Sequence, residues 1–382
     1  MRLLHTSDWH VGRTFHGRDL LAEQESVLGG LADLVADERV DAVVVSGDLY
    51  DRAVPSAEAV GVCGRVLRRI SDAGARIVIT PGNHDSAPRL GAFADFATAG
   101  GLHLLTSVRD LHTPVLLEDA HGPVAVYGVP YLEPDPARVV FGDPGLKGHS
   151  GVIGEAMRRI RADLARRPAG TRSVVLAHAF VIGGESSDSE RTIAVGGVPH
   201  VPGALFDGVD YAALGHLHGP QVLAEHLRYS GSPLAYSFSE ARHRKSVWLV
   251  ELDAGGLAGV ERRELPVPRP LATLRGALEE LLADPAHEAV ADHFLSVELT
   301  DPARPIDAMR RLQKRFPHAV HLEWRPQGRV EVPRKYGDAV RGRDDEAVSC
   351  CFVATVRGTE ATETEQAMLR TALAEVAGKE RD

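Results

Sequence analysis

Residues 41–51 read DAVVVSGDLYD, a short β-branched run that stops abruptly at a Gly-Asp pair. On either side of this stretch, residues 2–10 (RLLHTSDWH) and 76–85 (RIVITPGNHD) have the same pattern, an apolar run followed by acids, amides or histidines. Residues 173–178 (SVVLAH) and 211–218 (YAALGHLH) also have this pattern. Apolar runs of about four to eight residues that end in turn-forming residues are typical of buried strands. The pattern therefore predicts strands whose ends bear side chains able to hold metal ions.

Amphipathic stretches separate the first three of these runs. Helical patterns cover Leu20–Asp37 and Ser56–Ala73, and the preceding Pro55 adds a start signal for the second helix. Strand-helix-strand order predicts an α/β fold, in which the carboxyl ends of neighbouring parallel strands meet in one crevice. Strands are predicted at Arg2–Thr6, Asp41–Ser46, Arg76–Thr80, Val124–Val129, Ser173–Ala177, Tyr211–Leu214 and Ser246–Leu252.

The polar side chains at these strand ends form a mixed set of carboxylate, amide and imidazole groups. The set is too rich for one structural zinc, whose ligands are dominated by Cys and His. It suits two ions about 3.5–4 Å apart that share a carboxylate and clamp a phosphate, which indicates phosphoester hydrolysis. Oxygen and imidazole ligands fit manganese, iron or zinc, and the harder oxygens favour manganese. The candidate ligands are Asp8, His10, Asp48, Asn83, His178, His216 and His218.

Each motif alone has an ordinary explanation. An Asp-x-His pair occurs at solvated strand ends, Gly-Asp is common turn chemistry, and a lone His178 fits a hydrogen-bonded core histidine. GNHD (82–85) and GHLH (215–218) are more specific, and the occurrence of all five motifs in order at strand ends favours a catalytic centre. Asp85 has two possible roles, as an orienter of the site or as a helix-starting residue, and the second is slightly favoured.

Composition indicates a globular protein of the cytosol. The chain has 382 residues, 44% of them hydrophobic and 25% charged, with no apolar run near the length of about 18 residues that a spanning helix needs. Residues 1–10 turn polar too early for a secretory signal, and the spacing of the three cysteines suits neither a disulfide framework nor a zinc site. The net charge of −10 argues against a surface that coats nucleic acid as a whole.

The pattern changes after about residue 265. Leu265–Pro270 (LPVPRP) is predicted to be a stiff linker, followed by a small α+β module and two terminal helices that bind a partner. Two Gly/Ser/Pro-rich stretches, Glu133–Ser150 and Gly183–Gly203, are predicted to be long surface loops. The elements expected after the linker are helix Leu271–Ala283, strand Phe294–Thr300, helix Ile306–Phe316, strand Val320–Arg325, and helices Glu346–Arg357 and Thr362–Val376 with a break at Gly358.

Basic residues occur in three clusters. The arginines between positions 158 and 167 fall on a helical pattern and are interpreted as its solvated face. The run from Arg242 to Lys245 is a candidate for contact with phosphates near the crevice, and Arg334 and Lys335 are a second candidate.

Taken together, the motifs resemble a known family. SDWH (7–10), SGDLYD (46–51), TPGNHD (80–85), LAHAF (176–180) and GHLH (215–218) are similar to the motifs of the calcineurin-like metallophosphoesterases. Four further stretches resemble its SbcD-type subgroup, the nuclease subunits of bacterial complexes that act on DNA double-strand breaks. These stretches are Ser189-Glu190-Arg191, Ala194-Val195-Gly196-Gly197, Tyr229-Ser230-Gly231-Ser232-Pro233 and Ser237-Phe238-Ser239-Glu240.

The resemblance implies an architecture. The expected fold is a four-layer α/β sandwich of two β-sheets flanked by helices, with a small α+β capping domain and C-terminal helices. The nuclease domain would cover residues 1–265, the capping domain residues 271–335 and the helical partner-binding segment residues 344–382.

The resemblance also implies a role for each candidate. Asp8, His10, Asp48 and His218 would hold one metal, with Asp48 as the bridge, and Asn83, His178 and His216 would complete the second site. His84 would face the scissile phosphate without binding metal, a role that suits imidazole near neutral pH. Asp51 would orient His84.

The implied activity is manganese-dependent hydrolysis of DNA phosphodiester bonds in repair, recombination and replication. It includes 3′-to-5′ exonuclease action on duplex ends and endonuclease action on single strands and hairpins. The expected partners are DNA, an SbcC-like ATPase of the SMC family in a heterotetramer, and a second copy of this chain, with no membrane and a cytoplasmic location. Two alternatives remain: a phosphoprotein phosphatase or cyclic-nucleotide phosphodiesterase with the same site, and a noncatalytic scaffold for the ATPase.

Overall fold

The structure is a computed structural model that describes residues 1–190, 200–326, 340, 342–357 and 359–379. The chain divides into two compact units, Met1–Pro268 (unit 1) and Arg269–Asp382 (unit 2). Four features singled out in the sequence lie outside the described residues: Arg191, residues 194–197, the pair Arg334 and Lys335, and Gly358. Among the described helices, none combines the length and the apolar character that crossing a bilayer requires.

Two mixed β-sheets form the centre of unit 1. Sheet 1 has the spatial order β14 (Gly256–Glu264), β13 (Ser246–Asp253), β1 (Arg2–Thr6), β4 (Ala42–Ser46), β5 (Arg76–Thr80) and β6 (Leu102–Leu104). Its last four strands run parallel, and β13 and β14 add an antiparallel hairpin beside β1.

Sheet 2 also has a parallel centre. Its spatial order is β11 (Gln221–Ala224), β12 (Leu227–Tyr229), β10 (Tyr211–Gly215), β9 (Arg172–His178), β8 (Gly122–Val129) and β7 (Val115–Asp119), with antiparallel strands at both edges. A separate small hairpin consists of β2 (Thr14–Phe15) and β3 (Arg18–Asp19).

The helices of unit 1 lie between these strands along the chain. They are α1 (Leu21–Glu38), α2 (Ala57–Asp72), α3 (Ala87–Leu90), α4 (Ala94–Ala99), α5 (Pro134–Phe141) and α6 (Gly148–Leu164), with 3-10 turns at Gly91–Phe93, Gly203–Phe206 and Phe238–Glu240. Ser56 caps α2, because its side chain accepts a hydrogen bond from the Ala59 amide at 3.2 Å, as the start signal in the sequence predicts.

The alternation of side chains along each strand explains the layering of unit 1. In β4, Ala42 and Val44 pack against sheet 2, whereas Val43 and Val45 pack against α1 and α2. Helices α5 and α6 cover the other face of sheet 2. Because successive side chains of a strand point to opposite faces, strands covered on both faces are apolar throughout. The layers run helices, sheet 1, sheet 2, helices, so the four-layer sandwich is confirmed.

The prediction of a long loop over Glu133–Ser150 is wrong. Helix α5 starts at Pro134, where proline is tolerated because the first helical amides need no partner within the helix. Ala137 and Phe141 lie four positions apart and pack together into the core beside sheet 2. A helix of two turns between Pro and Gly residues is too short to show a recognisable hydrophobic periodicity in the sequence.

Unit 2 has its own small core. A parallel sheet of β15 (Leu271–Gly276), β16 (Phe294–Leu299) and β17 (Ala319–Trp324) packs against α7 (Leu278–Ala283) and α8 (Ala308–Arg315), with a 3-10 turn at Pro285–Val290. Helices α9 (Asp345–Arg357) and α10 (Glu363–Lys379) follow. The predicted helix Leu271–Ala283 is wrong in its first half, because residues 271–276 pair along their whole length with 294–299. Pairing with a distant strand is not visible in a local pattern.

His5 in β1 makes the stability of unit 1 depend on pH. The ring is fully buried, with Nδ1 2.9 Å from the Tyr211 hydroxyl and Nε2 3.1 Å from the Leu214 carbonyl oxygen. The carbonyl can only accept, so Nε2 donates to it and Nδ1 accepts from Tyr211, which describes a neutral ring. Burial lowers the pKa of His5 to about 3, from 6.5.

We expect this histidine to destabilise the fold in acid. The unfolded chain binds a proton at His5 below about pH 6.5 and the folded chain does not, so stability is full above that pH and falls as the pH drops towards 3. Between pH 7.5 and 5.5 the loss is about 1.4 kcal/mol. Urea denaturation in EDTA of wild type and His5→Gln, which keeps a donor and an acceptor, measures it. Identical pH dependence in the two proteins would contradict the assignment.

Candidate metal centre

The predicted ligands lie at or just after the carboxyl ends of five strands, which meet at one edge of the sandwich. These strands are β1, β4 and β5 of sheet 1 and β9 and β10 of sheet 2. Three groups of buried side chains bring their ligand atoms within 4.8 Å of one another. These groups are Asp8 with His10 and His218, Asp8 with Asp48 and His178, and His10 with Asp48 and His84.

The first group faces two imidazoles towards each other. Nε2 of His10 lies 3.1 Å from Nε2 of His218, and both rings are buried. Two nitrogens that bind one ion at about 2.1 Å and at a right angle are about 3 Å apart. The spacing therefore fits a single cation held by both rings, with Asp8 supplying an oxygen.

The second group surrounds His178. Its Nδ1 lies 3.0 Å from the Ser46 carbonyl oxygen, and its Nε2 lies 2.9 Å from Oδ1 of Asn83 and 3.4 Å from Oδ2 of Asp48. Acceptors on both sides make the ring a double donor, and Asp48 and Asp8 raise the pKa of His178 to about 9, against the effect of burial. The cluster thus holds a positive charge at this point. A divalent ion fits here, because it would displace the Nε2 proton and keep the charge.

Asp48 belongs to the second group and also lies close to His10 of the first group. Its Oδ2 is 3.6 Å from Nε2 of His10 and 3.4 Å from Nε2 of His178, while its Oδ1 accepts a hydrogen bond from the His84 amide at 2.8 Å. Although burial opposes ionisation, the facing rings of His178 and His10 hold the pKa of Asp48 well below its ordinary value. A carboxylate whose ionised form is favoured therefore lies within reach of both groups.

The ligand loops have strained backbones. Asp8, His10, Asp48 and His216 all have positive φ angles, of 53°, 45°, 53° and 105°. This region is unfavourable for residues with a Cβ and is maintained only where the surroundings enforce it. Main-chain hydrogen bonds from Asp8 to the Gly47 carbonyl (3.0 Å) and from His10 to the Asp48 carbonyl (2.9 Å) bind the two loops together.

Glycines permit the close approach of these loops. A Cβ at Gly82 would lie 2.2 Å from Oδ1 of Asp48, and one at Gly215 would lie 1.8 Å from the Ser46 carbonyl oxygen. Both contacts are far shorter than atoms allow, so no side chain fits at either position. These glycines let β5 and β10 end beside the loop that follows β4.

His216 differs from the other predicted ligands. Its ring joins none of the three groups and lies beside the His178 ring, with centroids 5.3 Å apart. Burial lowers the pKa of His216 to about 3, so the ring is neutral. Its amide lies 3.1 Å from both carboxylate oxygens of Asp8. The structure therefore places His216 next to the second group without bringing its nitrogens into it.

His84 and Asp51 lie together beside the first group. Nδ1 of His84 donates to the main-chain carbonyl of Asp51 at 2.8 Å, whereas the Asp51 carboxylate is 3.9 Å from Nδ1 of His84 and 3.7 Å from Nδ1 of His10. The main chain of Asp51 thus orients the His84 ring, and its carboxylate lies between the two rings.

Comparison with known proteins identifies the family of this site. The family described as calcineurin-like phosphoesterase matches residues 1–220, and the family described as type 5 capsule protein repressor C-terminal domain matches residues 267–348. The chain is 36% identical over 344 residues to the D subunit of nuclease SbcCD from Bacillus subtilis, covering 84% of this chain and 85% of that protein. The chain belongs to the SbcD family of calcineurin-like phosphoesterases. As an SbcD-family protein it is a phosphoesterase that uses divalent metal ions.

Two solved structures also match this SbcD-family chain. TT1561 of Thermus thermophilus is 16% identical, with a TM-score of 0.40 over 69% of this chain and 98% of that one. A dimetal phosphatase from Danio rerio is 12% identical, with a TM-score of 0.39 over 70% of this chain and 99% of that one.

In this SbcD-family site, Asp85 ties two ligand loops together. Its carboxylate accepts hydrogen bonds from the amides of Leu49, Tyr50 and Gly82, each at 3.0 Å. Leu49 directly follows Asp48, and Gly82 directly precedes Asn83. The slightly favoured interpretation of Asp85 as a helix-starting residue is wrong, because α3 begins at Ala87 after Ser86.

We expect Asp85→Asn to lower the free energy of unfolding by about 1–3 kcal/mol, because one amide then faces an NH₂ group and loses its acceptor. Urea denaturation of the metal-free protein measures the change. Asp253→Asn is the control, since that exposed carboxylate accepts one hydrogen bond, from Gly255, in a hairpin turn. Equal effects of the two substitutions would show that the three amides do not depend on Asp85.

The basic run Arg242–Lys245 is not a uniform phosphate-binding surface. Lys245 is buried, and its Nζ donates to Glu240, to the Ser232 hydroxyl and to the His218 carbonyl. The expectation that this lysine meets phosphates is wrong. The pairing of Arg158 and Arg159 with Glu155 of α6 agrees with a solvated face, whereas Arg161 donates to the main-chain carbonyls of Leu205 and Asp207.

Sequence reasoning missed Gln24 and Tyr236, which hold the strained loop after β1. The Gln24 amide donates to the His10 carbonyl at 2.8 Å and accepts from the Gly12 amide at 3.0 Å. The Tyr236 hydroxyl donates to the Trp9 carbonyl. The available signal was position: Gln24 is a polar residue on the buried face of α1, in register with Val27 and Leu28.

Proposed function

We propose that this chain cuts DNA as the D subunit of an SbcCD-type nuclease. The observation that carries the proposal is the position of Asp48, with one carboxylate oxygen 3.6 Å from His10 Nε2 and 3.4 Å from His178 Nε2. A carboxylate between two groups of ligands can bridge a pair of ions suited to phosphodiester hydrolysis. The likeness to the Bacillus subtilis nuclease spans 84% of the chain, more than unit 1 alone, and supports DNA as the substrate.

Each ligand receives a site in this proposal. Asp8, His10, Asp48 and His218 hold one ion, and Asp48, Asn83, His178 and the adjoining His216 hold the other. Manganese is the proposed metal, because carboxylate and amide oxygens with imidazoles form a comparatively hard ligand set. When bound, the ions supply a clamp for the phosphate oxygens and a water of lowered pKa.

His84 is the proposed catalytic residue. Because its Nδ1 donates to the Asp51 carbonyl, the ring donates to a phosphate oxygen or protonates the leaving oxygen from Nε2 only as an imidazolium, which returns to the neutral ring once that proton has left. The His84 ring centroid lies 4.6 Å from that of His10, which places the ring at the edge of the metal cluster. Asp51 acts by orienting this ring.

The activity test compares substrates. The purified chain with Mn²⁺ should cut plasmid and hairpin DNA and shorten a duplex labelled at one end from 3′ to 5′, and EDTA should stop all three reactions. A chromogenic phosphate monoester is the comparison substrate. Hydrolysis of the monoester or of a cyclic nucleotide with DNA left intact would favour a phosphatase or phosphodiesterase, and no hydrolysis at all would favour a scaffold.

The other segments have proposed roles in the same complex. Residues 1–265 are the nuclease domain, 271–335 a capping domain that shapes DNA entry, and 344–382 the segment that binds an SbcC-like ATPase in a heterotetramer. Exposed apolar side chains on α9 and α10 support the last role, namely Phe352, Val356 and Met368. Pull-down of the ATPase should fail with Phe352→Asp and succeed with wild type.

A second copy of this chain is the proposed partner of an apolar groove in unit 1. The groove has a volume of about 480 Å³, and Val54, Val60 and Phe93 line it with side chains that are about half exposed or more. Apolar side chains exposed together in one groove can form a contact surface with another protein chain. Sedimentation should show a dimer that Phe93→Ser weakens, and a concentration-independent monomer would refute it.

A cytoplasmic location agrees with the three free cysteines.

A further inference from the structure

The two ring nitrogens of His218 face different partners. Nε2 points towards His10 Nε2 at 3.1 Å, on the side of the metal centre, and Nδ1 lies 2.6 Å from the hydroxyl oxygen of Ser189. The same hydroxyl lies 2.5 Å from Oε1 of Glu240. A continuous chain of hydrogen bonds therefore runs from the metal side of His218 to a buried glutamate.

The donors in this chain have a defined direction. A carboxylate can only accept, so the Ser189 hydroxyl donates its one proton to Glu240. Its oxygen then accepts from Nδ1–H of His218. With the proton on Nδ1, the neutral ring presents the Nε2 lone pair to the metal centre.

Glu240 is held as an anion at the end of the chain. Its side chain is buried, and Nζ of Lys245 donates to its second oxygen. Both members of this ion pair are buried, so water and salt screen their attraction little. Lys245 also donates to the His218 carbonyl at 2.9 Å, so the ion pair fixes the main chain of the ligand too.

A segment of chain, residues 185–190, carries Ser189 to this place. The amide of His218 donates to Oε1 of Glu190 at 2.8 Å, so this segment contacts both the ring and the main chain of His218. Arg13 donates to the Ser189 carbonyl at 2.8 Å, and the Asp188 amide donates to the Ser239 hydroxyl at 3.0 Å. The segment is therefore fixed at several points around one ligand.

We propose that Ser189 is a positioning residue. Its hydroxyl connects His218 to the negatively charged Glu240 by hydrogen bonds and so sets the metal affinity of the site that His218 forms with His10. The inference rests on the proposed function, in which His218 binds metal. A metal-bound histidine with its other nitrogen hydrogen-bonded to a carboxylate or its equivalent is oriented in one tautomer and is a stronger ligand. Loss of such a partner weakens metal binding by about 10–100-fold.

The experiment is calorimetric titration of the EDTA-stripped full chain with Mn²⁺. Wild type should bind two ions. Ser189→Ala should bind one ion with unchanged affinity and the other about 10–100-fold more weakly. Ser107→Ala is the matched control, because Ser107 also donates to a carboxylate, that of Asp110, but in an exposed turn. Urea denaturation in EDTA confirms that each variant is folded.

A double-mutant cycle separates this role from a merely structural one. If Ser189 acts through His218, Ser189→Ala should change Mn²⁺ binding less than about twofold when His218 is already alanine. Equal weakening in both backgrounds, or wild-type affinity in Ser189→Ala alone, overturns the inference and leaves the proposed function standing. A wild-type chain that binds fewer than two ions overturns the proposed metal pair itself.

Discussion

His84→Ala should lower the rate of DNA cleavage by about 10²–10⁴-fold and leave two metal ions bound. The His84 side chain donates from Nδ1 to the Asp51 carbonyl, and the metal cluster depends instead on the His84 main-chain amide, which holds Asp48 at 2.8 Å. Alanine keeps that amide and removes the group proposed to protonate the leaving oxygen. Single-turnover cleavage of a hairpin and metal content by mass spectrometry measure the two effects.

The metal content decides between two roles for this ring. A ligand atom of His84 lies close to those of His10 and Asp48, so its geometry also permits metal binding. Loss of one ion in His84→Ala would show that the ring is a ligand and that another residue acts as the acid. His121→Gln, in an exposed turn, is the control and should leave both the rate and the metal content unchanged.

The strand-end positions of the candidate ligands could be predicted because they depend on local sequence and one rule of topology. An apolar run followed by Asp8, by Asp48 or by Asn83 defines a strand and its end, and parallel strands place those ends at one edge. The sequence could not show the side-chain direction after each strand. His216 follows β10 as predicted, yet its ring lies beside His178 and joins none of the groups of close ligand atoms.

Groups that support the site could not be predicted, because their partners are distant in the chain or hidden by local pattern. Asp85 accepts from amides 35 and 36 positions earlier, and His218 contacts Ser189 29 positions away. In the sequence, Lys245 follows two nearby arginines and resembles a surface cation. In the structure it is buried against Glu240. The sequence signal for such residues is a polar side chain at a buried position, as Gln24 illustrates.

The errors in secondary structure have a similar cause. Leu271–Gly276 has an amphipathic pattern compatible with helix, but a whole strand, Phe294–Leu299, is available to pair with it. Tertiary pairing prevails over weak local preference. For Pro134–Phe141 the error is the reverse, since a loop was predicted and the structure has a helix. Helix-breaking residues at both ends concealed this short helix, which packs on sheet 2.

Asp48→Asn should remove the bridge and lower cleavage by at least about 10³-fold, which corresponds to about 4 kcal/mol of lost transition-state stabilisation. The substitution removes the negative charge of the Asp48 carboxylate, whose Oδ2 lies 3.6 Å from Nε2 of His10 and 3.4 Å from Nε2 of His178. One amide oxygen cannot bridge two cations and also accept the hydrogen bond from the His84 amide. Titration with Mn²⁺ should therefore show the loss of at least one site.

In the metal-free protein, the negative charge of Asp48 has a second measurable effect, on the pKa of His178. Asp48 is the leading cause of the raised pKa of His178, about 9, so Asp48→Asn should lower that pKa and leave the ring neutral near pH 7. NMR titration of the His178 ring in EDTA measures this. Asp37→Asn, exposed at the end of α1, is the control for charge alone. Retention of both ions and a normal rate in Asp48→Asn would mean that the carboxylate does not bridge, because an amide lacks the charge that makes two adjacent cations stable.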